Sequence, residues 1–318
     1  MNRDFRLYLE MVARQLGSPE KGFGGRRRWL ELLGRSFTEE YPVLRSKVDL
    51  HLSFDGRVVP VRLYRPEADG RLPLLIFCHG GGWVAGSIES HDFQAASISA
   101  ATSSVVASVD YRLAPENPYP AAVDDCCDTL NWLLARHEIF GIDRDFTGAV
   151  ADSAGAQIVV ACALRSLRAG TCPLRLLALL YPALDDRRQT DSYRLFEQDP
   201  LLSKADMEEF WQAYLGGKDA DDLVAPARAQ DLAGLPSTII LTAEVDPLRD
   251  EGELFAKQLS SQSVPVKLKR ALGLGHGFLR ARTTCQSAQN EFDWFCEAIR
   301  DALRDTRRNE RNSTLDQT

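Results

Sequence analysis

The sequence predicts an α/β fold built on a mostly parallel sheet with helices on both faces. Three observations point there. From Leu74 onward, short β-rich apolar runs alternate with segments of helical periodicity. A run of three glycines, Gly80-Gly81-Gly82, follows the first buried apolar run directly. A serine, Ser153, lies between small residues where another apolar run gives way to a helical pattern.

The elements follow in order. Up to about Ser46 the chain reads as helices, with Phe5, Leu7, Tyr8, Leu9, Met11, Val12 and Leu16, then Trp29, Leu30, Leu32 and Leu33, at helical spacing. Val48 to Ser53, the turn Asp55-Gly56 and Val58 to Tyr64 predict a β-hairpin. Leu74 to Cys78 predicts a buried strand, His91 to Thr102 a helix and Ser104 to Val109 a second strand. Pro120 opens a long helix through Val123, Cys127, Leu130 and Leu134. Phe146 to Val150, Leu174 to Leu180, Thr238 to Thr242 and Val264 to Leu268 continue the strands, with a helix from Gln157 onward. A terminal helix carries Phe292, Trp294, Phe295 and Ile299. Strands alternating with helices at this spacing make a parallel sheet. Asp185 to Leu235 interrupts the alternation and carries its own helix near Lys204 to Tyr214. The expected organisation is therefore an N-terminal helical cap segment (1–46), a main α/β domain (47–305) with a cap insertion (185–235), and a polar, frayed tail (306–318).

At 318 residues the chain can bury a large core. Its 44% hydrophobic and 26% charged residues give the balance of a soluble globular protein. A net charge of −7 argues against a nucleic-acid partner. The first residues lack a signal-peptide apolar stretch, and no apolar run reaches membrane-spanning length, so no membrane association is expected. The seven cysteines fit no zinc or redox spacing; reduced buried thiols and a cytoplasmic location are the expectation. No cofactor or metal is expected either. The glycine run has no following Gly-Lys-Ser/Thr for phosphate, Gly273 to Gly277 comes after the last strand rather than opening a βαβ unit, and Asp219, Asp221 and Asp222 lack calcium-loop spacing.

Chemistry concentrates at three positions. Ser153, taken alone, reads as a helix cap. In Ala151-Asp152-Ser153-Ala154-Gly155, after a strand and before a helix, it fits a nucleophile elbow, except that Ala151 stands where the pattern has glycine. A serine nucleophile needs a base held by a third group. Of the five histidines, His276 sits between Gly275 and Gly277 after the last strand, where its ring can be presented unshielded. Asp246, after the strand Thr238 to Thr242 and before Pro247, reads equally as a cap or as the orienting carboxylate. The chain order Ser153, Asp246, His276 is that of α/β-hydrolases. His79-Gly80-Gly81-Gly82 would let backbone N–H groups converge on an oxyanion.

These residues carry a resemblance. Over roughly Leu50 to Ala302 the chain resembles the hormone-sensitive-lipase family of α/β-hydrolases, in its bacterial acetyl esterase and carboxylesterase branch. The resemblance rests on His79 to Trp83, Asp110-Tyr111-Arg112-Leu113-Ala114-Pro115-Glu116, Asp152 to Gly155, Asp246-Pro247-Leu248-Arg249-Asp250-Glu251 and His276-Gly277-Phe278. It implies an α/β-hydrolase fold with a mostly parallel central sheet, helices on both faces and a helical cap. It implies Ser153 as nucleophile, His276 as general base, Asp246 as its carboxylate, and an oxyanion hole from the amides of Gly81, Gly82 and Ala154. The expected activity is hydrolysis of short-chain carboxylic esters through an acyl-enzyme, with a small ester and water as the only partners and homo-oligomerisation left open. The sequence leaves open a weakened hydrolase that serves as a binding or regulatory protein, and an amide or formamide hydrolase, or a lyase, on the same three residues. Phe196, Phe210, Trp211 and Tyr214 in the insertion are either cap core or pocket wall.

Overall fold

In the computed structural model the described residues are 1–36 and 40–315. Residues 37–39 of the expected N-terminal segment and 316–318 of the expected tail lie outside them. Eight strands form one sheet: β1 (Leu44–Phe54), β2 (Arg57–Pro66), β3 (Leu72–Cys78), β4 (Val105–Val109), β5 (Ile142–Asp152), β6 (Leu176–Leu180), β7 (Ser237–Val245) and β8 (Val266–Gly275). Their order is β1-β2-β4-β3-β5-β6-β7-β8, with β1, β2 and β4 joined antiparallel and the other neighbours parallel. Every residue of β3, β4 and β6 is buried, as expected for parallel strands covered on both faces, whereas β1 alternates and keeps a wet side.

The helices are α1 (Arg3–Leu16), α2 (Gly22–Arg35), α3 (Asp92–Thr102), α4 (Ala121–Leu134), α5 (Ala154–Arg168), α6 (Asp191–Leu195), α7 (Lys204–Leu215), α8 (Arg249–Ser261) and α9 (Gln286–Leu315). Two buried clusters lie on opposite faces of the sheet. One gathers Ile76, Ala151 and Leu179 of the strands with α4, α5 and α8; the other gathers Phe77, Val150 and Leu180 with α1, α3 and α9. The period-2 alternation of neighbouring strand residues between these clusters is the sheet pleat itself.

Helix α7 begins at a capping box, in which Ser203 and Asp206 each satisfy the other's backbone N–H. It ends at Gly216, in the left-handed conformation. Its buried face carries Met207, Phe210, Trp211 and Tyr214.

Three expectations change. β1 starts at Leu44, inside the segment read as 1–46, because β2 runs on to Pro66 and offers Leu44 and Ser46 partners. α9 continues to Leu315, past the start of the tail expected at 306. The cysteines are not all reduced: Cys127 and Cys162 form a disulfide between α4 and α5, whose packing brings the two Cα atoms to 5.7 Å. A separation of 35 residues hid that pair from the sequence. Cys78, Cys126, Cys172, Cys285 and Cys296 are free. Among the described residues no helix is long and apolar enough to cross a membrane.

Candidate active site

The site forms where parallel strands end. β5 runs directly into α5 through Ser153, whose φ of 52° and ψ of −120° are strained for a residue with a side chain. The turn is held on both sides by backbone bonds: Ser153 N–H donates to Leu180 O at 2.9 Å, and Ser153 O accepts from Ala183 N at 3.1 Å. Gly155 is indispensable to the turn. A Cβ there would strike the carbonyl oxygens of Cys78 and His79, because the first turn of α5 lies directly on the end of β3. Ala151, where the strict motif has glycine, is wholly buried in β5 and pairs in register with Cys78 and Leu179, so its methyl group sits in the ordinary sheet core.

The structure brings the three sequence-predicted side chains together. His276, immediately after β8, places Nε2 3.0 Å from Ser153 Oγ and Nδ1 2.8 Å from Asp246 Oδ2. An ionised carboxylate only accepts, so Nδ1 carries the proton and Nε2 is left to accept from the serine. Asp246 is fully buried after β7, and its other oxygen accepts from Leu248 N at 2.8 Å. Asp246 is not the N-cap of α8, which starts at Arg249 after Leu248; one of its oxygens fixes the turn before the helix and the other faces the imidazole. Burial opposes a charge on His276. The negative charge and hydrogen bond of Asp246, with Asp152 and Asp199 beyond, outweigh it and raise the imidazole pKa above its ordinary value.

The glycine loop lies opposite. Gly81 and Gly82 have φ of 131° and 63°, and added Cβ atoms would strike Ala85 O and the Phe210 ring respectively. Among the described residues, no hydrogen bond takes the amides of Gly81, Gly82 or Ala154. Gly80 N–H instead donates to Asp152 Oδ1 at 2.9 Å, tying the loop to the residue before the serine.

Support for the loop comes from residues the sequence did not single out individually. Tyr111 OH donates to His79 O at 2.7 Å, and Ala114 N to Trp83 O at 2.9 Å. Arg27 of α2 donates to Val84 O and Ala114 O and pairs with Glu116 at 2.6 Å. His79 is buried, stacked on Tyr111 with ring centres 4.3 Å apart; burial, then the neighbouring His91, push its pKa down to about 3. It stays neutral and structural. Arg27 carried no signal at all in the sequence, being one of three consecutive arginines.

A cavity of about 680 Å³ opens onto Ser153 and His276. Its walls come from α1 and α2 and from Met207 and Phe210 of α7. Of the four aromatics noted in the insertion, Phe210 faces the cavity. Trp211 and Tyr214 pack on Trp83, with ring centres at 4.2 and 4.6 Å, beneath the glycine loop. Phe196 is partly exposed beside Arg249, 5.4 Å from ring centre to guanidinium.

A strained serine between strand and helix, with a carboxylate and an imidazole arriving after later strands, defines a class. The chain matches the family model described as the alpha/beta hydrolase fold over residues 75–280 and belongs to that family, in its hormone-sensitive-lipase branch. It is 39% identical to the carboxylic ester hydrolase LipN of Mycobacterium tuberculosis over 77% of this chain and 68% of that protein. It is 31% identical to an ethyl acetate hydrolase of Pseudomonas putida, over 85% of this chain and 89% of the relative. The crystal structure of a hyperthermophilic esterase from the archaeon Pyrobaculum calidifontis superposes with a TM-score of 0.85 at 30% identity, covering 94% and 97% of the two chains.

Proposed function

We propose that this protein is a serine esterase that hydrolyses short-chain carboxylic esters through an acyl-enzyme. The observation that carries the reading is the continuous hydrogen-bond chain from Ser153 Oγ to His276 to Asp246 at the base of the cavity. Ser153 Oγ attacks the ester carbonyl while His276 Nε2 takes its proton. The carbonyl oxygen, now negative, is met by the amides of Gly81, Gly82 and Ala154, which carry no other bond to give up. Ala154 is the first residue of α5, so the helix dipole adds to that field. His276 then protonates the departing alcohol, and water attacks the acyl group by the reverse sequence. No cofactor is needed for any step.

The N-terminal helices α1 and α2 and the insertion 185–235 act as a cap on the catalytic domain, whose sheet begins with β1 at Leu44. Contributions to the cavity wall from α1, α2 and α7 support that division. Two observations favour small acyl groups: Phe210 packed over Gly82 narrows the space beside the oxyanion amides, and one relative is an ethyl acetate hydrolase.

Ser153→Ala tests the reading. Hydrolysis of 4-nitrophenyl acetate should fall at least about 10³-fold with the unfolding midpoint unchanged. Residual turnover within tenfold of the parent would sink the assignment. A 4-nitrophenyl ester series from C2 to C12 should peak between C2 and C6; a rise towards C12 would make the protein a lipase instead.

A further inference from the structure

We propose that Arg280 is a carboxylate-recognising side chain of the substrate cavity, so that the preferred esters carry a free carboxylate remote from the scissile bond. The inference rests on the reading of Ser153 as nucleophile. Arg280 stands four residues beyond His276, on the 3₁₀ turn Phe278–Ala281, and forms part of the wall of the cavity that holds Ser153. Its guanidinium donates from Nη1 to Ser90 O at 3.0 Å and from Nη2 to His91 Nε2 at 2.8 Å.

His91 can accept that bond only as a neutral ring. Ser90 Oγ gives its proton to Ser87 O at 3.0 Å and so receives one from His91 Nδ1 at 2.8 Å, which leaves Nε2 with a lone pair for the arginine. Both partners of the guanidinium are therefore uncharged. Among the described residues no carboxylate lies within 4.0 Å of Arg280. The other charges on the cavity wall are otherwise engaged. Asp152 accepts from Gly80 N through Oδ1; its Oδ2 lies 3.6 Å from His91 Nε2, so its charge acts on Arg280 across that ring without a direct bond. Arg26 and Asp206 pair with each other at 2.6 Å, and Glu10 is exposed at the outer rim.

Two of five guanidinium N–H donors are used, and the orientation is fixed by a backbone carbonyl and a buried ring. Such a group is a preorganised fork for a carboxylate, which it can bind through two parallel bonds. The cavity's apolar wall, with Phe5, Tyr8 and Val12 of α1, raises the worth of the charge relative to open water. A neutral ester cannot use it. A half-ester of a dicarboxylic acid can present its carbonyl to Ser153 and its far carboxylate to Arg280.

The test compares monomethyl esters of the C4 to C6 dicarboxylic acids with methyl esters of the same chain length, following acid release at constant pH. In the parent protein at least one half-ester should exceed its neutral counterpart in kcat/KM. Arg280→Met should lower that ratio about tenfold, and Arg280→Lys should restore part of it. A ratio equal in the parent and the Met variant would overturn the proposal. Free adipate, which needs no variant to fold, should raise KM for methyl hexanoate without changing kcat; absence of competition would also overturn it. Failure of the parent to hydrolyse either the half-esters or the neutral esters would instead overturn the esterase reading, so the two failures are distinct.

Discussion

The strand ends that carry the serine and the helices that cover them are held by opposite means. At the strand ends, the turns are set by backbone against backbone, and side chains of Tyr111, Arg27 and Asp152 brace the glycine loop. Gly155 lies on the carbonyls of β3, the Gly81 and Gly82 backbone turns where no Cβ fits, and Ser153 is pinned between β6 and the residues after it. In the cap, position is set by side chains. Arg26 reaches Asp206 across α2 and α7 and lies 4.6 Å over the Phe210 ring, while Trp211 and Tyr214 rest on Trp83. A backbone-built turn tolerates no adjustment, whereas side-chain contacts can be exchanged one at a time. The first region therefore admits less change than the second.

That contrast can be broken at graded positions. The largest effect is expected at Asp246. Asp246→Asn should lower kcat by about 10³–10⁴-fold by favouring the wrong imidazole tautomer. The pH profile should move as well. His276 must be neutral to accept a proton, so activity in the parent falls as pH is lowered through a pKa above the ordinary 6.5. Without the carboxylate the midpoint of the residual activity should shift to lower pH, and an unmoved midpoint would separate Asp246 from the titrating group.

Next comes Gly155→Ala, where the new methyl has only backbone to push against. A loss of about 2–3 kcal/mol in denaturant unfolding is expected, with activity lost in proportion to the displaced elbow. Cap substitutions should be milder. Phe210→Ala should change the ratio of rates on C2 and C6 esters severalfold while moving kcat on 4-nitrophenyl acetate by less than tenfold. A complete loss of turnover would mean that the cap, too, fixes the chemistry. Smallest of all is Ala151→Gly. The methyl lies in the sheet core rather than at the helix contact, so kcat should stay within about twofold and stability should fall by about 0.5–1 kcal/mol. A severalfold gain in turnover would show that this methyl strains the elbow.

The same contrast explains what the sequence could reveal. The elbow and the glycine loop are contiguous stretches whose residue types follow from local backbone geometry, so Ser153, Gly81 and Gly82 stood out before any fold was known. His276 and Asp246 were legible through flanking glycines and a following proline, together with their order along the chain. Arg27, Arg280 and the buried His91 were not, because each acts through a partner brought near by the fold alone. Arg280 and His91, for example, are 189 positions apart. The helical spacing of Phe210, Trp211 and Tyr214 announced one buried face, but not that Phe210 would meet Gly82 while its neighbours met Trp83. The Cys127–Cys162 bond was hidden for the same reason: nothing in either helix alone shows that the two lie side by side.

The central claim is that one serine, held in a strained turn and aligned with His276, forms the covalent intermediate. Reaction with a fluorophosphonate probe, followed by intact-mass measurement and peptide mapping, tests it most directly. The account predicts a single adduct per chain, carried by the peptide containing Ser153 and absent from Ser153→Ala. Equal labelling of that variant, or an adduct on another residue, would contradict it.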